Sequence, residues 1–112
     1  MDNFIKVLTG GITGLLTFLF GGYDLILSIL ITLVVVDYAT GVLAAIYNKE
    51  LSSDVGYKGI IKKVGIIIII ALSQLVGQAI GAEWLRSAVI GFYIANEGIS
   101  ILENIGRMGV TY

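Results

Sequence analysis

Residues 25–63, LILSILITLVVVDYATGVLAAIYNKELSSDVGYKGIIKK, decide the fold of this chain. The stretch begins with a hydrophobic run, residues 25–47, which as an α-helix is about 34 Å long and therefore able to cross a bilayer. Asp37 interrupts this run, and a polar segment with several lysines follows it. A long apolar helix that carries one acid and ends at a basic loop indicates a membrane helix with a polar role.

The composition of the whole chain also indicates a membrane protein. Apolar residues make up 57% of the 112 residues and charged residues 13%, against about 45–50% and about 25% in soluble domains. The length allows one domain, which we predict to cover residues 1–112. With no histidine and no cysteine, imidazole catalysis, thiolate nucleophiles, disulfides and zinc sites are excluded. We therefore expect no enzyme and no cofactor or metal, and the net charge of −1 predicts no nucleic-acid partner.

Hydropathy and turn residues predict four helical segments. They cover residues 4–20, 25–47, 58–82 and 85–104. The first segment is about 25 Å long, which is the short limit for a span, so it either crosses the membrane or lies at its surface. The break before the second segment is short and glycine-rich, which predicts a tight antiparallel hairpin. The predicted fold class is an all-α integral membrane protein, a small bundle of three to four transmembrane helices that forms a homo-oligomer.

The lysines of the segment 48–63 predict the orientation in the membrane. They are Lys49, Lys58, Lys62 and Lys63. Because lysine-rich loops stay in the cytoplasm, four spans would place both termini in the cytoplasm, whereas three spans would move the N-terminus outside. These lysines are interpreted as a topology determinant that contacts lipid headgroups, or alternatively as a regulatory or partner-binding loop.

Two GxxxG patterns predict positions where helices pack closely. They are formed by Gly10 and Gly14 in the first segment and by Gly77 and Gly81 in the third. Glycines four residues apart lie on one helix face and allow another helix to approach. In apolar segments this rich in glycine, the pattern also arises by chance.

Two acids, Asp37 and Glu97, fall inside predicted spans and mark the candidate functional face. The polar and small residues of this face are Asp37, Thr40, Gly41, Asn96, Glu97 and Ser100. Because the lysines are assigned to the loop, no cation is expected to pair with the acids, and one or both carboxyl groups are expected to be protonated in the closed state. The face either holds a bundle or oligomer together, or lines an aqueous lesion, or forms a proton-coupled substrate site.

Two blocks of sequence resemble the toxin-secretion/phage-lysis holin family. They are DYATGVLAA at residues 37–45, followed by the lysine loop, and FYIANEGISILEN at residues 92–104. The resemblance implies a small phage or prophage-type protein that collects in the bacterial cytoplasmic membrane and oligomerises into lesions. The implied partners are other copies of the chain, membrane lipids, a functionally coupled endolysin or toxin, and an antiholin. It also implies that Asp37, Thr40, Gly41, Asn96 and Glu97 matter, without giving each a role.

Two other classes of function fit the length and the number of spans. One is a small four-helix multidrug transporter that works as a dimer. Such transporters resemble one another in a key glutamate on the first helix, whereas the deep acids here lie on the second and last segments. The other is a structural subunit of a membrane complex, for which the GxxxG patterns and polar faces would suffice.

Overall fold

The computed structural model describes residues 1–110, in which all regular structure is helical. The helices are α1 (Asp2–Phe20), α2 (Leu25–Tyr47), α3 (Ser53–Ile80) and α4 (Trp84–Arg107). The first three are each long and apolar enough to cross a membrane. The predicted class, an all-helical membrane protein with three to four spans, is confirmed, while oligomer formation stays a prediction.

Helix α3 is longer at its N-terminal end than the sequence predicts. It begins at Ser53 rather than at residue 58, because the Ser52 side chain accepts a hydrogen bond from the Val55 N–H at 3.3 Å and caps the first turn. At the other end, Gly81 adopts a left-handed φ of 74° and ends the helix. A Cβ atom at Gly81 would meet nothing within 4 Å. Gly81 thus ends the helix, and the packing role that its GxxxG pattern predicts stays a prediction about contacts beyond the protomer.

Helices α2, α3 and α4 form a three-helix bundle. Helices α2 and α4 run parallel, because hydrogen bonds join Asp24 to Arg86 at one end and Asn48 to the Arg107 carbonyl at the other. Helix α3 lies against both in the opposite direction. Helix α4, with 24 residues, is long enough for a span but is not apolar enough by itself. Its alignment with α2 over the full length nevertheless places it at the same depth.

One apolar layer forms the core of the bundle. It consists of Leu27, Leu30, Ile66, Ile70 and Ile90, each at most 7% exposed. Lipid tails are as apolar as these side chains, so burial here stabilises the bundle through packing contacts rather than through removal of apolar surface from water.

Helix α1 stands apart from the bundle. None of its residues is buried, and it packs beside α3 while a cleft of about 520 Å³ separates it from α2. The predicted tight hairpin between α1 and α2 is therefore wrong. Gly21 and Gly22, with φ of 77° and 105°, turn the chain away at the junction. A Cβ atom at Gly10 or Gly14 would meet nothing within 4 Å, so their packing role stays a prediction about contacts beyond the protomer.

Candidate functional site

Three charged side chains meet inside the bundle, one from each helix. Lys63 of α3 donates hydrogen bonds at 2.9 Å to both carboxylate oxygens of Glu97 on α4. The same ammonium group donates to the Asp37 carboxylate on α2. The Glu97 and Asp37 side chains are only 1% and 6% exposed, and that of Lys63 is 13% exposed. We call Asp37, Lys63 and Glu97 the ionic cluster.

Polar residues of α4 complete the surroundings of Asp37. The Ser100 hydroxyl donates to Asp37 Oδ1 at 2.6 Å, and the Asn104 amide donates to the same oxygen at 3.0 Å. The amide also contacts the Asp37 carbonyl at 3.1 Å and the Thr40 hydroxyl at 3.0 Å. Among residues 1–110, no buried side-chain nitrogen or oxygen lacks a hydrogen-bond partner. The hydrogen bonds of the cluster are therefore satisfied within one protomer, while its two carboxyl groups share one cation.

The pairing of Lys63 with the acids corrects two sequence predictions. Lys63 was assigned to the cytoplasmic loop, and no cation was expected near Asp37 or Glu97. Lys63 lies within α3 and points into the bundle, while its neighbour Lys62 is exposed. One ammonium group neutralises only one of the two carboxylates, so protonation of the other acid in the closed state stays a prediction.

Glycines allow α3 to approach α2 closely beside the cluster. The Tyr38 ring lies over the helix face that carries Gly56 and Gly59, and its hydroxyl donates to the Gly56 carbonyl at 3.4 Å. A Cβ atom at Gly59 would lie 3.1 Å from the Tyr38 ring. This close approach brings the Lys63 side chain within reach of Asp37.

The remaining predicted polar residues of the face divide between the cluster and the outer surface. Thr40 is half-buried and contacts Asn104, and a Cβ atom at Gly41 would lie 3.5 Å from the Asn104 amide nitrogen. Asn96 is exposed on the outer side of α4 and takes no part in the cluster. Asn104 also belongs to the site, as its helical spacing from Glu97 on the polar face of the last segment predicts.

The remaining predicted lysines lie on the surface at the loop end. Lys49 is exposed and has a positive φ of 59°. Lys58 pairs with Asp54 at 3.2 Å, and both side chains are at least 69% exposed. Gly77, by contrast, is buried at the far end of α3, where a Cβ atom would lie only 2.6 Å from the Ala82 carbonyl oxygen. Gly77 therefore permits the tight turn into α4.

A second polar centre, which sequence reasoning missed, joins the opposite ends of the helices. The Arg86 guanidinium donates to both carboxylate oxygens of Asp24, at 2.9 and 3.0 Å. It also donates to the carbonyls of Phe20 and Gly22, at the end of α1. These hydrogen bonds from Arg86 hold the pKa of the Asp24 carboxyl below its usual value. The sequence places Arg86 in a short polar break, where it indicates a loop charge rather than a buried clamp.

Two clefts that contain charged side chains flank the apolar core layer. One, of about 190 Å³, lies beside the ionic cluster at the lysine-loop end. The other, of about 310 Å³, lies at the opposite end, where Gln74, Gln78 and Arg86 contribute to its lining. Polar groups thus extend inward from both ends of the bundle and stop at the apolar layer between them.

The comparisons with known proteins identify the family. The chain matches the bacteriophage holin family over residues 14–112. It belongs to this family. Recognition from the two sequence blocks is therefore confirmed, and a multi-pass membrane protein follows from family membership together with the three apolar helices.

Relatives of this holin-family chain occur in several bacteria and in a phage. An uncharacterized protein of Listeria innocua is 43% identical over 98% of this chain and 79% of its own length. An uncharacterized 14.9 kDa protein of Clostridium perfringens is 37% identical over 98% of this chain and 87% of its own length. A protein of Bacillus phage phi105 named probable holin is 33% identical over 75% of this chain and 63% of its own length. No solved structure matches the chain significantly.

Proposed function

We propose that this protein acts as a holin. It accumulates in the bacterial cytoplasmic membrane and oligomerises into lesions through which an endolysin, or a toxin, leaves the cell. The match to the bacteriophage holin family over residues 14–112 carries the proposal, and the similarity to a probable holin of Bacillus phage phi105 supports it. Family membership favours this function over the transporter and structural-subunit alternatives, and over enzymatic activity.

The internal pairing of charges supports an accumulating, closed form. Because Lys63, Asp37 and Glu97 satisfy one another, the protomer presents largely apolar helix surfaces to lipid. Separation of α3 from α2 and α4 would leave these ions unpaired, and unpaired ions require water. Separated helices that line an aqueous lesion would supply that water. In this proposal the ionic cluster is the polar surface that becomes hydrated when protomers open and assemble.

The proposed orientation places the lysine-loop end and both termini in the cytoplasm. Lys49, Lys58 and Lys62 are exposed at that end, which agrees with the tendency of lysines to remain inside. Since the chain has no cysteine, single cysteines introduced at Lys49 and at Tyr23 can be labelled from outside intact cells. Labelling at Tyr23 and protection at Lys49 is the expected result, and the reverse pattern would overturn the orientation.

Inducible expression in a bacterium tests the function. Growth and membrane potential are followed with and without a co-expressed endolysin that has no secretion signal. We expect growth to stop abruptly after a delay, with lysis only when the endolysin is present. Steady growth with altered tolerance to cationic dyes would favour the transporter and overturn the holin proposal.

A further inference from the structure

The cleft beside the ionic cluster has a cationic lining that the cluster does not use. Lys62 from α3 and Arg107 from α4 both line this cleft of about 190 Å³, together with Tyr38 and Asn104. Asp37 also lines it, but its carboxylate is already bound by Lys63, Ser100 and Asn104. With Lys62, Lys63 and Arg107 counted against Asp37 and Glu97, the charged side chains at the cleft have a net positive charge.

Neither cation has a strong partner within the described residues. Lys62 forms no ion pair among residues 1–110. Arg107 lies 3.7 Å from Glu50, and both side chains are about half or more exposed, at 48% and 64%. Exposed pairs of this kind contribute little stability. Both side chains therefore have donors available for an anion.

The two cations lie at the depth of the lipid headgroups. Along α3, Lys62 is about 28 Å from Gly81, and along α4, Arg107 is about 34 Å from Trp84, at about 1.5 Å per residue. The hydrocarbon core of a bilayer is about 30 Å thick. When the turn that contains Gly81 and Trp84 lies at one surface of the membrane, Lys62 and Arg107 lie at the phosphate level of the other.

We propose that this cleft binds the phosphate group of an anionic phospholipid, with Lys62 and Arg107 as its ligands. The planar guanidinium of Arg107 suits two phosphate oxygens, and the Lys62 ammonium adds a second charge. Basic pockets between transmembrane helices hold such headgroups at the cytoplasmic side of membranes. A phosphate held here connects α3 to α4 directly beside the ionic cluster. The inference requires only the membrane span and not holin activity.

Spin-labelled lipids measure this selectivity on the full chain. The protein is reconstituted in phosphatidylcholine bilayers, and electron spin resonance gives the relative association of labelled phosphatidylglycerol and labelled phosphatidylcholine. For the unaltered chain we expect a preference of about fivefold or more for phosphatidylglycerol, since two cations contact one phosphate. The double variant Lys62→Gln/Arg107→Gln should reduce the preference to near unity. The variant Arg107→Lys keeps the charge and should retain part of the preference.

A matched control distinguishes specific binding in the cleft from non-specific attraction of anionic lipid to the positive charge of the protein. The double variant Lys49→Gln/Lys58→Gln removes the same number of positive charges from outside the cleft and should retain most of the preference. Equal losses in both double variants, or no preference in the unaltered chain, would overturn the proposal. Millimolar inorganic phosphate should leave the lipid preference largely unchanged. If inorganic phosphate abolished the preference for phosphatidylglycerol, the ligand of the cleft would be free phosphate and not a lipid.

Discussion

The ammonium nitrogen of Lys63 lies 2.9 Å from each carboxylate oxygen of Glu97, and the two side chains are 13% and 1% exposed. The same ammonium also donates to Asp37. One cation thus serves acids on two different helices. Removal of this cation would leave two carboxylates buried without a counter-charge. An uncompensated buried charge strongly destabilises the folded state.

The first prediction concerns Lys63→Met. We expect this change to lower the free energy of unfolding by about 3–5 kcal/mol, because unpaired buried carboxylates must be protonated or hydrated. Thermal unfolding in a zwitterionic detergent, together with the amount of protein in the membrane fraction, measures the effect. The control Lys62→Met alters the exposed neighbour and should change stability by about 0.5 kcal/mol or less.

A combined variant identifies the cause of the loss. Adding Asp37→Asn and Glu97→Gln to Lys63→Met removes all three charges and should restore most of the stability, since neutral groups of the same shape replace the ions. If the triple variant is as unstable as Lys63→Met alone, lost packing rather than electrostatics explains the effect.

The second prediction concerns the timing of lysis in Asp37→Asn. Asparagine keeps the oxygen that accepts from Ser100 and Asn104 but removes the charge opposite Lys63. Membrane insertion should stay intact, while the interval between induction and lysis should change. The control Asp54→Asn removes a charge from an exposed pair and should keep the normal interval. An unchanged interval in Asp37→Asn would show that the ionic cluster does not control when lysis begins.

The third prediction is a pH dependence at the Asp24–Arg86 pair. Hydrogen bonds from Arg86 lower the pKa of Asp24 in the folded state. Stability from the pair is therefore fully present above the pKa of the unfolded carboxyl and is lost as the pH falls through the lowered pKa. Because the Asp24 side chain is 51% exposed, the loss should be about 1 kcal/mol or less.

Melting temperatures at pH 7 and pH 3 measure this dependence. Asp24→Asn keeps a good helix cap while it removes the titrating group. The variant should therefore lose less stability on acidification than the unaltered chain. Equal losses in both proteins would assign the acid sensitivity to other carboxyl groups.

The fourth prediction compares two glycines of α3. Gly77→Ala places a Cβ atom 2.6 Å from the Ala82 carbonyl oxygen, so we expect destabilisation by about 1–3 kcal/mol from the forced backbone shift. A Cβ atom at Gly65 would meet nothing within 4 Å. Gly65→Ala should be neutral or stabilising by about 1 kcal/mol, because alanine favours the helix. Thermal unfolding of the two variants side by side provides the measurement, and similar effects in both would contradict this account of the turn.

Sequence reasoning predicted the membrane class because hydropathy over some twenty residues is a strong signal. It also placed the acids Asp37 and Glu97 at membrane depth. It missed their cation because Lys63 stands in a cluster of lysines that indicates a loop. The deciding feature is the direction of the side chain, because Lys63 points towards Asp37 and Glu97 whereas Lys62, one residue earlier, is exposed.

Features that depend on distant contacts were beyond the reach of sequence patterns. The short break at residues 21–24 fixes the distance between two helix ends but not the angle between the helices. That angle depends on the left-handed Gly21 and on the hydrogen bonds from Arg86, which lies far along the chain. Arg86 itself gave no sign of burial, because its partners are mainly backbone carbonyls and one exposed acid.

The ionic cluster also sets an order of events during synthesis. Asp37 leaves the ribosome first, Lys63 follows 26 residues later, and Glu97 follows Lys63 by 34 residues. The second helix must therefore enter the translocation machinery with its acid uncompensated, and its long aliphatic run must supply the whole driving force for insertion. Helix α4, the least apolar of the three, emerges after Lys63, so the cation that binds Glu97 is already present. A nascent chain stopped before α4 lacks the Ser100 and Asn104 donors of Asp37 and should remain near the translocon, while the completed chain can move out into lipid.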